Sequence, residues 1–208
     1  MLLFKMHAKQ AGFTMIELMF AIAVLAVLVG IGLPNMQDFV RNSRMSGAAN
    51  DIISDFNFAR SEAVKRRVPV TLCKTVNGTA CNTSATTEFS RWIVFVDDAD
   101  PALVQGTDGN GAIDGAEVIL RDRELPESIT VKATNGQIRA TFLPTGFPRI
   151  ETANVNRFVL CDVRGNETSV GGDSAARAIE ILPTGRPSVF RSKATITSVL
   201  TTIGGSCP

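Results

Sequence analysis

The sequence is poor in histidine. Its 208 residues hold one histidine, His7, and neither a G-x-x-x-x-G-K-[ST] nor an H-E-x-x-H pattern. Ser-His and Cys-His catalysis therefore lack a base, and phosphate-loop and zinc-peptidase chemistry lack their frames. No C-x-x-C pair occurs, so thioredoxin-like and zinc-ribbon readings are poor. No catalysis, no cofactor, no metal and no small-molecule substrate is expected. No acid precedes Glu17, and no Lys or Arg lies between Lys9 and Arg41. The net charge of +1 gives the chain no general pull on polyanions.

What the chain does have is one long apolar run, Leu18 to Leu33, followed by Pro34. As a helix it measures about 24 Å, or roughly 30 Å counted from Phe13, enough to span a bilayer. Lys5, His7 and Lys9 precede it, an arrangement that keeps the N-terminus cytoplasmic and sends the remainder across the membrane. A cleavable secretory signal needs an A-x-A-like site after the run, and Gly32-Leu33-Pro34-Asn35-Met36-Gln37 supplies none. A retained anchor is expected. Glu17 stands near its start, and a charge at membrane depth implies a partner. With no cation later in its own helix, that partner is expected on another subunit.

Four cysteines, Cys73, Cys81, Cys161 and Cys207, all lie beyond the apolar run, in keeping with an oxidising compartment. They allow three pairings. The favoured one staples a local loop (Cys73–Cys81) and clamps the C-terminal tail (Cys161–Cys207), with one disulfide and two free thiols as the alternative.

After Pro34 the pattern becomes amphipathic. Met45, Ala48, Ala49, Ile52, Ile53, Phe56, Ala59, Ala63 and Val64 recur at helical spacing, while Arg41, Arg44, Asp51, Asp55, Arg60, Glu62 and Lys65 fill the other face. The helix is expected to reach about Arg67 and to kink at Pro34. Short strands are then expected at Val68–Lys74, Arg91–Val96, Glu117–Arg121, Ser128–Ala133, Ile138–Leu143, Arg157–Val163, Arg177–Leu182, Ser188–Arg191 and Thr195–Leu200. Turn residues separate them, including a near-repeat, Phe142-Leu143-Pro144-Thr145-Gly146 and Ile181-Leu182-Pro183-Thr184-Gly185. The fold class is α+β: a long N-terminal helix, half membrane-spanning and half amphipathic, packed on a β-rich, mainly antiparallel head.

Gly12-Phe13-Thr14-Met15-Ile16-Glu17-Leu18 resembles the type III signal of type IV pilins and type II secretion pseudopilins. The likeness rests on a short basic leader ending in Gly, an aromatic next residue, Glu at the fifth mature position, an apolar helix and a following Pro. Ala59-Arg60-Ser61-Glu62-Ala63-Val64-Lys65-Arg66-Arg67, Trp92-Ile93-Val94-Phe95-Val96-Asp97, Asp108–Glu117 and Leu182-Pro183-Thr184-Gly185-Arg186 resemble the GspH/FimT domain of minor pilins and minor pseudopilins. The resemblance implies residues 1–12 as a prepilin leader, 13–34 as the transmembrane and assembly helix, 35–67 as an amphipathic helix, and 68–208 as a periplasmic head. It implies cleavage by prepilin peptidase between Gly12 and Phe13, N-methylation of Phe13, and an inner-membrane subunit that joins other minor and major pilins near a filament tip. Glu17 would neutralise a neighbour's new Phe13 amine. The alternatives are the minor pseudopilin H of a type II secretion system and a DNA-binding minor pilin for natural transformation.

Two further motifs bear on partners. Asp108, Asn110, Asp114 and Glu117, with Asp97, Asp98 and Asp100 nearby, have the oxygen-rich look of a calcium loop, but Glu117 falls at the tenth position where an EF-hand needs the twelfth. Such clusters commonly build turns. Arg186, Arg191 and Lys193, with Arg177 nearby, suggest a basic patch. Some FimT-type pilins bind DNA for uptake through Gly-Arg-x-Arg; here Gly185-Arg186 is followed by Pro187-Ser188, so the second Arg is missing. Binding through these groups would be a salt-dependent contact with phosphates.

Overall fold

Thr14 and Arg67 mark the two ends of the first helix, α1 (Met15–Arg66), in a computed structural model that describes residues 12–82, 84, 88–98, 110–113, 117–133, 139–149, 157–169 and 172–208. At its C-terminal end the Arg67 N–H still reaches the Ala63 carbonyl at 2.9 Å, but Arg67 takes a left-handed φ of 62°. Pro69 follows and cannot continue the helix. The helix is continuous through Pro34. The chain forms two compact units, Met1–Val40 and Arg41–Pro208.

In the second unit α1 buries Met45, Ala48, Ala49, Ile52, Phe56, Ala59 and Ala63, a stripe recurring every three to four residues. Three expectations for this helix are corrected. Val64 is half exposed, because the stripe has rotated past it by the last turn. Asp55 and Glu62, placed on the solvent face, are buried. Position 55 lies three residues after Ile52 and four before Ala59, so it belongs to the buried stripe, and a partner has to meet it there.

The strands are β1 (Val70–Lys74), β2 (Glu88–Phe89), β3 (Arg91–Val96), β4 (Ile119–Glu124), β5 (Thr130–Ala133), β6 (Arg139–Phe142), β7 (Arg157–Cys161), β8 (Arg177–Ile181) and β9 (Pro187–Phe190). They form two sheets, ordered β4-β3-β1-β6 and β2-β5-β7-β8-β9, with every pair antiparallel. In the first sheet Leu72 on β1 stands opposite both Val94 and Ala140. Both sheets contribute to one core against α1. Phe56 joins them, its ring 6.3 Å from Phe142 on β6 and 5.7 Å from Phe158 on β7.

Thr195–Leu200, expected as a strand, is part of a helix, α2 (Lys193–Ile203). Its Thr, Ile and Val residues favour strands locally, but Ile196, Val199, Leu200 and Ile203 fall on one helical face. That face packs on Val159, Cys161 and Ala178 of the second sheet and on Ala176 just before β8, and burial overrides propensity. The cysteines pair as Cys73–Cys81 and Cys161–Cys207, and the second bridge fixes the tail after α2 to β7.

The repeated pentapeptide forms two matching turns. Gly146 N–H bonds to the Leu143 carbonyl and Leu143 N–H to Phe147; Gly185 bonds to Leu182 and Leu182 to Arg186 in the same way. Gly146 and Gly185 have φ of 79° and 78°, a region that glycine enters without strain. The two turns touch: a Cβ on Gly185 would stand 2.8 Å from the Gly146 carbonyl oxygen. Each sheet thus ends in the same turn, and the ends meet.

Candidate functional site

The N-terminal unit is defined by what does not cover it. Phe13, Met15, Ile16, Leu18, Met19 and Phe20 are exposed, as are the large apolar residues that follow to Ile31. Among the described residues α1 is the one helix long and apolar enough to cross a membrane. Gly12 and Phe13 precede it as an exposed, non-helical segment.

Glu17 is hydrogen-bonded within its own chain, at the start of α1. The Glu17 N–H donates to Thr14 Oγ1 at 3.3 Å, and the Thr14 N–H donates to Glu17 Oε2 at 3.5 Å. Thr14 precedes the first helical residue and Glu17 is the third, so the pair is a capping box that satisfies donors the helix start leaves open. The signal was in the sequence as Thr-x-x-Glu before an apolar run. The carboxylate also sits where the helix dipole favours negative charge, close in the chain to the position where cleavage would create an amine.

A second acid organises the head. Asp55 is fully buried on α1 and accepts the indole N–H of Trp92 on β3 at 2.8 Å. Its other oxygen pairs with Arg121 Nη1 at 2.5 Å, and Arg123 Nε is 3.7 Å away, both from β4. The Arg121 guanidinium lies 3.6 Å above the Phe58 ring on α1. One carboxylate therefore holds two strands of the first sheet to the helix. Sequence reading missed it, although an acid inside an apolar stripe is a usable signal.

The described part of the Asp108–Glu117 region is held by hydrogen bonds, one of them from an arginine. Asp108 and Asp114, like Asp100, lie outside the described residues. The Asn110 carbonyl accepts Arg139 Nη1 at 2.7 Å, and its side-chain oxygen accepts the Ala112 N–H at 2.6 Å. Glu117 is half-buried. No cluster of three metal-ligating side chains occurs among the described residues.

Asp97 is fully buried beside this segment, taking hydrogen bonds from the Thr71 hydroxyl and from Gly111 N–H at 2.9 Å. Burial pushes its carboxyl above the usual aspartate range, opposed by those hydrogen bonds and by Arg139 and Arg149. A carboxyl raised in this way binds more protons folded than unfolded across the window between its ordinary and raised values. Stability therefore falls as pH rises through that window. Asp97→Asn is expected to raise the melting temperature at about pH 7.5 and leave it unchanged at about pH 3, where the aspartate is already protonated. A melting temperature lowered at neutral pH would contradict this.

The basic residues near the C-terminus do not form one patch. Arg177 is buried, its Nη1 donating to the carbonyls of Ser174, Ala175 and Ala176 at 2.5, 3.2 and 2.8 Å. Arg191 reaches Ser46 Oγ at 3.3 Å and Asp173 at 4.0 Å, and Lys193 pairs with Glu167 at 3.1 Å. Arg186 is exposed at the opposite end of β9, about 16 Å of extended chain from Arg191. The missing second Arg is not replaced by a side chain folded back beside the first.

Comparison with known proteins follows this division of the chain. The family described as type II transport protein GspH matches residues 48–185, and the prokaryotic N-terminal methylation motif matches residues 7–33. The fimbrial protein EcpC of Eikenella corrodens is 54% identical over 41 residues, 20% of this chain and 27% of that protein. Prepilin peptidase-dependent protein D of Escherichia coli K12 is 37% identical over 70 residues, 34% of this chain and 40% of that protein. The chain thus matches well under half the length of these relatives. Two crystal structures of the type IV minor pilin FimU of Pseudomonas aeruginosa are similar at TM-scores of 0.43 and 0.45, with 18% and 17% identity. Those likenesses cover 70% and 73% of this chain and 91% and 92% of FimU.

Proposed function

The chain belongs to the type II transport protein GspH family, and from that membership we propose a working cycle for it as a minor type IV pilin. Members are pilins and pseudopilins, structural subunits and not enzymes. In this cycle the chain enters the inner membrane once, N-terminus cytoplasmic and head periplasmic. Prepilin peptidase cuts after Gly12 and methylates Phe13. The subunit then joins other pilins through α1 and initiates or caps the pilus tip.

The observation that carries the reading is the uncovered apolar face of α1 beginning in a methylation motif and a single carboxylate. Burying that face against neighbouring helices or lipid removes the exposed area from water. Glu17 then has two tasks. Its capping bond holds the carboxylate over the first turn, and its charge is available to a neighbour's Phe13 amine. An ion pair in lipid costs far less than two separate charges, so the pairing would set the axial register of an incoming subunit.

Substitution at Glu17 separates the tasks. Glu17→Gln keeps a side chain able to complete the capping box but removes the charge. It is expected to reduce recovery of the protein in sheared filaments as severely as Glu17→Ala does, with processing intact. Wild-type recovery of the Gln variant would leave Glu17 only its cap. The family's description also favours a second reading, the minor pseudopilin of a type II secretion system. Deleting the gene would then abolish secretion of exported enzymes and leave surface pili unchanged.

A further inference from the structure

The last turns of α1 carry positive charge that the head does not match. Glu62 is the acid of this stretch, and its two oxygens are taken by Lys65 Nζ at 3.3 Å and Arg66 Nε at 2.5 Å. Those bonds, Arg66 first, hold the Glu62 carboxyl below the usual glutamate range despite its burial. Arg60, Arg67 and Arg186 find no ion pair or side-chain hydrogen bond among the described residues. Unmatched guanidinium groups are ready for bidentate contact with carboxylates.

Arg60 lies beside the first of the twin turns and Arg186 at the end of the second, with Arg67 just past the helix end. A Cβ on Gly146 would stand 3.1 Å from Val64 Cγ2 and 3.5 Å from Arg60 Nε, so the first of the twin turns lies on this face of α1. The second turn abuts the first and carries Arg186 at its end. These elements also carry exposed apolar side chains: Val64 on α1, Phe147 after the first turn and Leu182 at the start of the second are 50%, 52% and 36% exposed. A cleft of about 450 Å³ follows the helix past Asn57, Arg60, Ser61, Val64 and Lys65.

We propose that this surface receives an acidic segment of a neighbouring filament subunit. Its carboxylates meet Arg60, Arg67 and Arg186, and one of its apolar side chains seats among Val64, Phe147 and Leu182. The exposed apolar side chains decide between partner classes. A nucleic-acid backbone would satisfy the cations but leave Val64 and Leu182 in water, whereas a protein segment covers both. Protein interfaces likewise combine charged groups for steering with apolar ones for burial. The inference rests on the filament reading and adds the chemistry of one partner.

The test uses the full-length chain in the cells that produce it, with p-benzoylphenylalanine at Val64 as the photocrosslinker. Adducts in sheared filaments are mapped by mass spectrometry. The proposal expects an adduct on an Asp- or Glu-rich segment of another pilin subunit. It also expects Arg60→Glu with Arg186→Glu to cut that adduct and filament recovery about tenfold, while processing at Gly12 and the melting temperature stay as in wild type. No adduct, an adduct on nucleic acid or on a segment without acids, or a yield indifferent to the double substitution overturns it. If the wild-type chain is itself missing from filaments, the filament reading fails and this inference with it.

Discussion

Asp55→Ala is expected to cost the head about 3–5 kcal/mol, the range for removing one partner of a buried pair. For a unit of this size that lowers the melting temperature by roughly 6–20 °C. The loss has two physical parts. The indole N–H of buried Trp92 loses its acceptor, and Arg121, half inserted between helix and sheet, loses its counter-charge. Alanine leaves both groups where they are and offers nothing in return. Asp55→Asn should cost less, because an amide oxygen can still accept the indole. Trp92 is the only tryptophan in the chain, so its fluorescence reports this contact without labelling. Melting curves of the full chain in detergent for the three proteins should rank wild type above Asn above Ala. An Ala variant within a degree or two of wild type would show that Asp55 does not hold the sheet to the helix.

Gly12→Val should act on a different quantity and leave stability alone. A Cβ added at Gly12 meets nothing within 4 Å, and Gly12 is exposed. The fold therefore makes no demand for glycine at this position. If glycine is required, the requirement comes from outside the chain, from an enzyme whose site has room for no side chain there. The expected result is complete: only full-length, unmethylated protein, none in sheared filaments, and an unchanged melting temperature for the head. Normal processing of the Val variant would remove Gly12 from the mechanism.

How far the sequence could be read depended on whether an element was governed by periodicity or by contacts across the fold. The buried stripe of α1 was legible because its apolar residues keep helical spacing from Met45 to Ala63, and most strands were legible from their β-branched runs between turns. α2 was misread because its strand-forming residues lie on a helix whose face is chosen by Val159 and Cys161 far away in sequence. Asp55 was misread because a carboxylate in an apolar stripe makes sense only once Trp92 and Arg121 are seen to reach it. Glu17 is legible as a charge beside an apolar run, and its reciprocal bond with Thr14 adds a capping role to it. Arg186 and Arg191 are five residues apart in sequence, but an extended strand holds them at opposite ends, and each meets different neighbours. The repeated Leu-Pro-Thr-Gly was visible at once. That its two copies touch, and so bring Arg186 toward α1, belongs to the packing of the two sheets.

The central claim is that this chain is cut and modified before its helix enters a filament. Mass spectrometry of the N-terminal peptide from protein purified out of the membrane addresses it most directly. The account predicts a chain beginning at Phe13 and carrying one N-methyl group. A peptide that runs intact through Gly12 and Phe13, recovered from assembled filaments, would contradict it.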